Sequence, residues 1–302
     1  MLISFLLAIA APSTEPQPLA QHSAERPDGS SIIYWLEEGG DQQSEIVLVM
    51  QGTGCEAVSD KPNLRHAANM LRPDARTLLI DKIGAGTNND DQMIEGCSKA
   101  YWDRYTLSLR VQDCLRVIAE LRQQHWWNRN IIIFGGSEGG AIAALLAPLV
   151  PEAKAVIVLS SGTGVPVGEL IRTAVPPQMA AEASAVFAAA RERPTGQERW
   201  GGLSYRWWDD AIDIVPALSL AQSPAPTLLI HGARDQSSPV HTARAGYSLL
   251  KDSGKTNVAF WEFEKFDHFM KEGDGTNHMD KVLTDARAWI NEHVRNDELH
   301  SQ

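Results

Sequence analysis

One stretch constrains the fold of this chain more than any other: Asn130-Ile131-Ile132-Ile133-Phe134-Gly135-Gly136-Ser137-Glu138-Gly139-Gly140-Ala141-Ile142-Ala143. The apolar run before the glycines suits an interior strand of a parallel sheet, which is buried on both faces. Glycines around Ser137 allow a strained turn that lifts a serine hydroxyl above the end of such a sheet, and Gly140 lets the next helix pack close. Gly-x-Ser-x-Gly carries little weight alone, because Gly and Ser also fill ordinary loops. Set between a strand and a helix, it makes Ser137 the first candidate for chemistry.

The flanking sequence repeats the same rhythm. Ser31–Glu37 and Glu45–Met50 read as strands, the second running into Gln51-Gly52-Thr53-Gly54-Cys55. A helix is expected from about Asn63 to Leu71, then a strand over Arg76–Asp81 and a polar loop over Asn88–Asp103. Leu107, Val111, Leu115, Ile118 and Leu121 lie at helical spacing, and Ala155–Leu159 is another buried strand. Pro226–Gly232 and Asn257–Phe263 are further strands, separated by a helix from Val240 to Lys251, and a helix from Asp280 to Arg295 closes the chain. Strands alternating with helices imply a parallel sheet. Between about 165 and 223 the rhythm stops in favour of Ala-rich and Trp-bearing helical sequence. The expected fold is a single α/β domain over residues 29–302, a mostly parallel doubly wound sheet with a helical cap inserted at about 165–223.

A serine hydroxyl is a weak nucleophile until a base takes its proton, and that base works best when an acid fixes its tautomer. In a doubly wound sheet both partners sit on loops at the carboxyl ends of strands. The strand at Thr227 ends in Gly232-Ala233-Arg234-Asp235, and the last strand ends in Glu264-Lys265-Phe266-Asp267-His268. Asp235 has an alternative reading as a turn or helix-cap residue. The rival position for the acid, after Leu159, carries Ser160 and Ser161. His231, His241 and His278 fall in a strand end, a helix start and a Gly/Asp-rich loop, where structural or solvated roles are expected. The order Ser137, Asp235, His268, each after a strand, is far rarer than any single match. Charge developing on a carbonyl oxygen needs backbone N–H donors, for which the residue after the nucleophile, Glu138, and Thr53, with Gly54 as the alternative, are placed.

Taken together these segments resemble the α/β-hydrolase superfamily. Gly135-Gly136-Ser137-Glu138-Gly139-Gly140 resembles its nucleophile elbow, Gln51-Gly52-Thr53-Gly54 its oxyanion loop and Asp81-Lys82-Ile83-Gly84-Ala85-Gly86-Thr87 its Asp-x-Arg-Gly-x-Gly-x-Ser loop. His231-Gly232-Ala233-Arg234-Asp235 with Ser238-Pro239 resembles the acid loop and Asp267-His268 the histidine loop. The likeness covers about Ile32 to Val294, and Gly-x-Ser-x-Gly-Gly is similar to the serine aminopeptidase and prolyl-oligopeptidase-like branches. Gln51 stands where the superfamily has His, and Lys82 where it has Arg.

The resemblance implies acyl transfer to water through an acyl-serine, without a cofactor, on a small acyl compound or short peptide. Ester hydrolysis is the first expectation. Exopeptidase or amidase action is the alternative, since a Glu138 side chain could attract a substrate ammonium. A transferase using another acceptor alcohol and a non-catalytic binding module are further alternatives. Trp200, Trp207 and Trp208 either line a pocket or pack the cap against the main domain. A formal charge of −11 argues against nucleic-acid binding.

Residues Leu2–Ala11 form an apolar run with Ala8-Ile9-Ala10 as a small-x-small site, so residues 1–28 read as a signal peptide and leader, although no Lys or Arg precedes the run. The run is too short to span a bilayer. A periplasmic or secreted location is expected, the alternative being a cytoplasmic protein with a frayed N-terminus. Of three cysteines, Cys55 and Cys97 lie in Gly-containing loops and Cys114 in a helical pattern, so the first two are the expected pair. No metal-ligand spacing accompanies them.

Overall fold

The computed structural model describes residues 17–86, 93–94 and 96–300. Eight strands form one sheet among them: β1 (Leu19–Glu25), β2 (Ser31–Glu37), β3 (Ser44–Met50), β4 (Arg76–Ile80), β5 (Trp127–Gly136), β6 (Ala153–Leu159), β7 (Thr227–Gly232) and β8 (Val258–Phe263). Their spatial order is β1-β2-β4-β3-β5-β6-β7-β8. Pairing is antiparallel on both sides of β2 and parallel from β4 through β8. Connecting helices are α1 (Pro62–Leu71), α2 (Lys99–Arg104), α3 (Leu107–Leu121), α4 (Glu138–Leu146), α5 (Val167–Ala174), α6 (Pro177–Glu192), α7 (Tyr205–Ala211), α8 (Pro216–Gln222), α9 (Val240–Asp252) and α10 (Met279–His300).

The unbroken apolar runs that mark the central strands follow from helices on both faces. Ile46, Leu48 and Met50 of β3 and Ile133 of β5 point to the side of Val117, Ile118 and Ile142 on α3 and α4. Val47, Val49, Ile132 and Phe134 point to the opposite layer, formed by Leu64 and Leu71 of α1 and Leu283, Trp289 and Ile290 of α10. Because β3, β5, β6, β7 and β8 run parallel, the loops after them emerge along one edge of the sheet. Gln51, Ser137, Ser160, Asp235 and His268 all sit on those loops.

Three segments differ from expectation. Within residues 1–28, the span expected as signal peptide and leader, Leu19–Glu25 is a sheet strand paired residue for residue with Glu37–Ser31. Its polar sequence, with Gln21, His22 and Ser23 exposed, suits an edge strand and hides the strand from a search for apolar runs. The Leu2–Ala11 run and the Ala8-Ile9-Ala10 site lie outside the described residues. The polar loop expected over Asn88–Asp103 contains a two-residue hairpin, Met93–Ile94 with Cys97–Ser98, and most of α2, whose N-terminus is capped by the Ser98 hydroxyl accepting from the Tyr101 N–H at 3.1 Å. Within the span expected as a cap, α5, α6 and α7 pack on one another, whereas α8 packs against α4 and α9.

Candidate active site

Ser137 occupies the turn between β5 and α4 with φ 55° and ψ −127°, a conformation that costs a non-glycine residue about 1–3 kcal/mol. Neighbouring glycines make it accessible. A Cβ at Gly135 would lie 2.0 Å from the Gly139 carbonyl oxygen, one at Gly139 would lie 2.3 Å from that of Met50, and one at Gly140 would lie 2.6 Å from the Ser161 Cβ. Only glycine lets α4 start this close to β3 and β6. The Ser137 N–H donates to the Leu159 carbonyl at 2.9 Å, tying the turn to the end of β6.

Asp235 and His268 meet across two loops. His268 Nδ1 lies 2.8 Å from Asp235 Oδ2. A carboxylate can only accept here, so Nδ1 carries the proton and Nε2 is the basic nitrogen. Asp235 Oδ1 accepts from the backbone N–H groups of Ser237 and Ser238 at 2.9 and 2.8 Å. His231 Nε2 donates to the Ser238 carbonyl at 2.6 Å and lies 3.3 Å from Asp235 Oδ2. Burial alone would raise the Asp235 carboxyl, but the hydrogen bonds from His231, His268 and the backbone outweigh it and hold the group at about 2. Gly232 lets the two loops cross, since a Cβ there would meet the Phe266 carbonyl oxygen at 2.3 Å. The Arg234 N–H donates to that same carbonyl at 2.9 Å.

The loop after β3 passes directly beside the nucleophile: a Cβ at Gly52 would sit 3.5 Å from the Ser137 Cβ. Gln51 closes this loop by donating from Nε2 to the Glu56 carbonyl at 3.0 Å. At its far end Asp81 Oδ1 accepts the Val58 N–H at 2.7 Å. Lys82 Nζ donates to the Gly52 carbonyl at 2.7 Å and to Glu138 Oε1 at 2.6 Å, and the Tyr105 hydroxyl donates to the same Oε1 at 2.6 Å. Burial lowers the proton affinity of the Lys82 amine, while the Glu138 carboxylate opposes that loss. Glu138 begins α4, so its backbone N–H has no partner within the helix.

Ser137 and His268 line one cavity of about 560 Å³, together with Gly52, Thr53 and Glu138. Leu107, Val167, Leu170, Ile171, Leu203 and Trp207 form its apolar wall, much of it from the cap. Trp207 is the tryptophan of the expected trio that reaches the cavity. Trp208 is buried, donates from Nε1 to the Trp200 carbonyl at 2.9 Å, and packs in tilted contact with Phe187 and Trp200, ring centroids 5.0 and 5.3 Å away. Trp200 and Trp208 do not line this cavity; their rings pack against Phe187 of α6. Gly54, the alternative oxyanion donor, does not line the cavity, whereas Thr53 does.

The structure thus gathers Ser137, His268, Thr53 and Glu138 around one cavity and seats Asp235 behind His268. Lys82 and Tyr105 had no functional assignment from sequence. The signal was a lysine directly after an apolar strand, a position too buried for an ordinary solvated lysine. A disulfide joins Cys55 to Cys97, 42 residues apart with Cα atoms 5.7 Å apart, and Cys114 is a buried free thiol whose ionisation burial pushes up to about 11. Among the described residues no group of three His, Cys, Asp or Glu side chains is arranged to hold a metal ion, and no helix is long and apolar enough to cross a membrane.

Comparison with known proteins agrees with this architecture. Est1E from Butyrivibrio proteoclasticus superposes with a TM-score of 0.62 at 17% identity, covering 91% of this chain and 99% of that one. The acylaminoacyl peptidase of Pyrococcus horikoshii superposes with a TM-score of 0.63 at 18% identity, covering 92% of this chain and 42% of that longer one. A puromycin-hydrolyzing peptidase of Mycobacterium tuberculosis gives 0.63 at 15% identity, covering 95% and 42%. No curated protein sequence matches the chain. These likenesses are to α/β-hydrolase folds. The sequence profile of the prolyl oligopeptidase family matches residues 107–297, more than half of the 302-residue chain and a span that includes Ser137, Asp235 and His268. By that match the chain belongs to the prolyl oligopeptidase family.

Proposed function

We propose that this protein is a serine hydrolase that cleaves carboxylic esters through an acyl-serine, with Ser137 as nucleophile, His268 as base and then acid, and Asp235 as the group that orients His268. The observation that carries the reading is the 2.8 Å contact between His268 Nδ1 and Asp235 Oδ2, with Nε2 left for Ser137 on the wall of a shared cavity. Ser137 Oγ attacks the acyl carbonyl while His268 Nε2 takes its proton. The tetrahedral oxyanion is met by the backbone N–H groups of Glu138 and Thr53. Collapse expels the leaving alcohol, protonated by His268, and water repeats the sequence to free the acid.

The surroundings of Glu138 support ester over aminopeptidase action. Its Oε1 accepts from both Lys82 and Tyr105, so the carboxylate is already neutralised by a protein cation and is poorly suited to a substrate ammonium. The family match favours amide hydrolysis as the second reading. Labelling with a fluorophosphonate tests the nucleophile: the wild type is expected to label and Ser137→Ala to remain unlabelled, and a wild type that does not label favours a non-catalytic binding role. A chromogenic panel of short and long acyl esters beside aminoacyl amides then separates the two hydrolytic readings, with faster amide turnover reversing their order. Product analysis with added alcohol detects transfer to an acceptor other than water.

The Cys55–Cys97 disulfide supports export to an oxidising compartment. Expression of the full chain in a bacterial host with fractionation and intact-mass analysis checks this. Recovery from the cytoplasm with the leader attached and both thiols free would contradict it.

A further inference from the structure

We infer that Lys82 is the positioning residue of the oxyanion hole: its single buried ammonium bridges the Gly52–Thr53 peptide and the Glu138 segment, the two pieces of chain that supply the N–H donors. The inference rests on the hydrolase reading above and extends it to a residue outside the triad.

Lys82 follows β4, and its side chain is fully buried, with 0% exposure against 6% for Glu138. Burying an ammonium is costly, and a buried ion pair is seldom more stabilising than an apolar replacement of the same size, so stability is a weak reason for the lysine to be here. What the charge touches is more informative. Nζ donates at 2.7 Å to the carbonyl of Gly52 and at 2.6 Å to Oε1 of Glu138. Every described peptide is trans, and in a trans peptide the carbonyl and the following N–H point in opposite directions. Holding the Gly52 oxygen toward Lys82 therefore turns the Thr53 N–H away from it, and Gly52 and Thr53 line the cavity whereas Lys82 does not.

A cation on the carbonyl also polarises the peptide, which makes its N–H a stronger donor to an oxyanion. Through Glu138 the same ammonium grips the first residue of α4, whose backbone carries the other donor. Tyr105 holds that carboxylate from a second direction, with its ring centroid 4.7 Å from Nζ. One lysine thus sets the separation and direction of both donors without touching substrate.

The test compares wild type with Lys82→Met, Lys82→Arg and the double variant Lys82→Met/Glu138→Gln. Removing only the lysine leaves Glu138 as an unpaired buried charge and risks misfolding, which the double variant avoids. Measured are kcat and KM on a chromogenic ester, the Tm, and affinity for a trifluoromethyl ketone, which binds as a tetrahedral oxyanion adduct. In the double variant kcat is expected to fall about 10- to 100-fold with KM within about twofold, and ketone affinity to fall by the same factor. Lys82→Arg should recover part of both. Wild-type kcat in a folded double variant, or a loss of kcat without a matching loss of ketone affinity, overturns the inference while leaving the hydrolase reading intact. A wild type with no acyl turnover overturns both.

Discussion

At the scale of single residues, the proposed mechanism divides the candidate site into groups that react and groups that hold them. Ser137→Ala removes one hydroxyl from a turn whose strain is carried by the backbone, so Tm should stay within about 2 °C while ester turnover falls by three orders of magnitude or more. Undiminished hydrolysis by that variant would remove Ser137 from its role. Asp235 differs, because the proposed mechanism has it orient His268 while its depressed carboxyl also contributes to stability. Its carboxyl is held at about 2 in the folded protein against 3.8 for an unperturbed Asp. A depressed carboxyl contributes stability above its unfolded value and loses it as pH falls through the folded one. Asp235 should therefore contribute on the order of 2 kcal/mol at neutral pH, lost between about pH 4 and pH 2. Asp235→Asn is expected to flatten that part of the acid unfolding curve and to lower kcat by about 10³- to 10⁴-fold. An acid limb identical to wild type would show that the carboxylate is not stabilised in this way. Gly139→Ala should act through packing alone: the new methyl would press on the Met50 carbonyl, so soluble protein should fall sharply.

Among the elements, α5 and the start of α7 supply part of the wall of the cavity that Ser137 lines. Val167, Leu170 and Ile171 of α5 and Trp207 of α7 face the cavity, whereas Trp208 is turned into the aromatic packing of the cap. Leu170→Ala is expected to shift the preferred acyl or leaving group toward bulkier esters, raising kcat/KM for them relative to acetate esters. Steady-state comparison over a chain-length series reads this directly, and an unchanged preference would move the selective wall elsewhere. Trp208→Ala should instead lower stability by about 3–5 kcal/mol by emptying a buried site, with the ester preference retained in whatever folds. Helical periodicity could not assign these two neighbours, since adjacent residues on a helix point about 100° apart and the chain alone does not say which side faces the sheet.

For the whole molecule, the disulfide ties the loop that runs beside Ser137 to the hairpin before α2. Closing a loop of 42 residues restricts the unfolded chain by about 4 kcal/mol on chain-entropy grounds. Reduction, or Cys55→Ser with Cys97→Ser, is expected to lower Tm by roughly 6 °C, read by thermal unfolding with and without reductant. Equal melting under both conditions would show that the loop is held by its other contacts, the Asp81 and Lys82 hydrogen bonds among them.

Much of this architecture was written locally. The buried strands are apolar because helices cover both sheet faces, and the glycines around Ser137 and at Gly232 reflect backbones that approach too closely for a Cβ. Such features depend on a residue and its near neighbours, so Ser137, Asp235 and His268 could be placed on strand-end loops from the chain alone. Other features depended on which distant segments meet. A polar edge strand such as Leu19–Glu25 has no apolar period of its own and takes its structure from β2. α8 belongs to the main domain because of its packing on α4 and α9, not because of its composition. Above all, the sequence by itself set Ser137, Asp235 and His268, the proposed nucleophile, acid and base, in that order along the chain. Tertiary structure decided that a lysine after β4 reaches the carbonyl before Thr53 and the carboxylate after Ser137, because a hydrogen bond between segments 30 and 56 residues apart leaves no periodic trace in either.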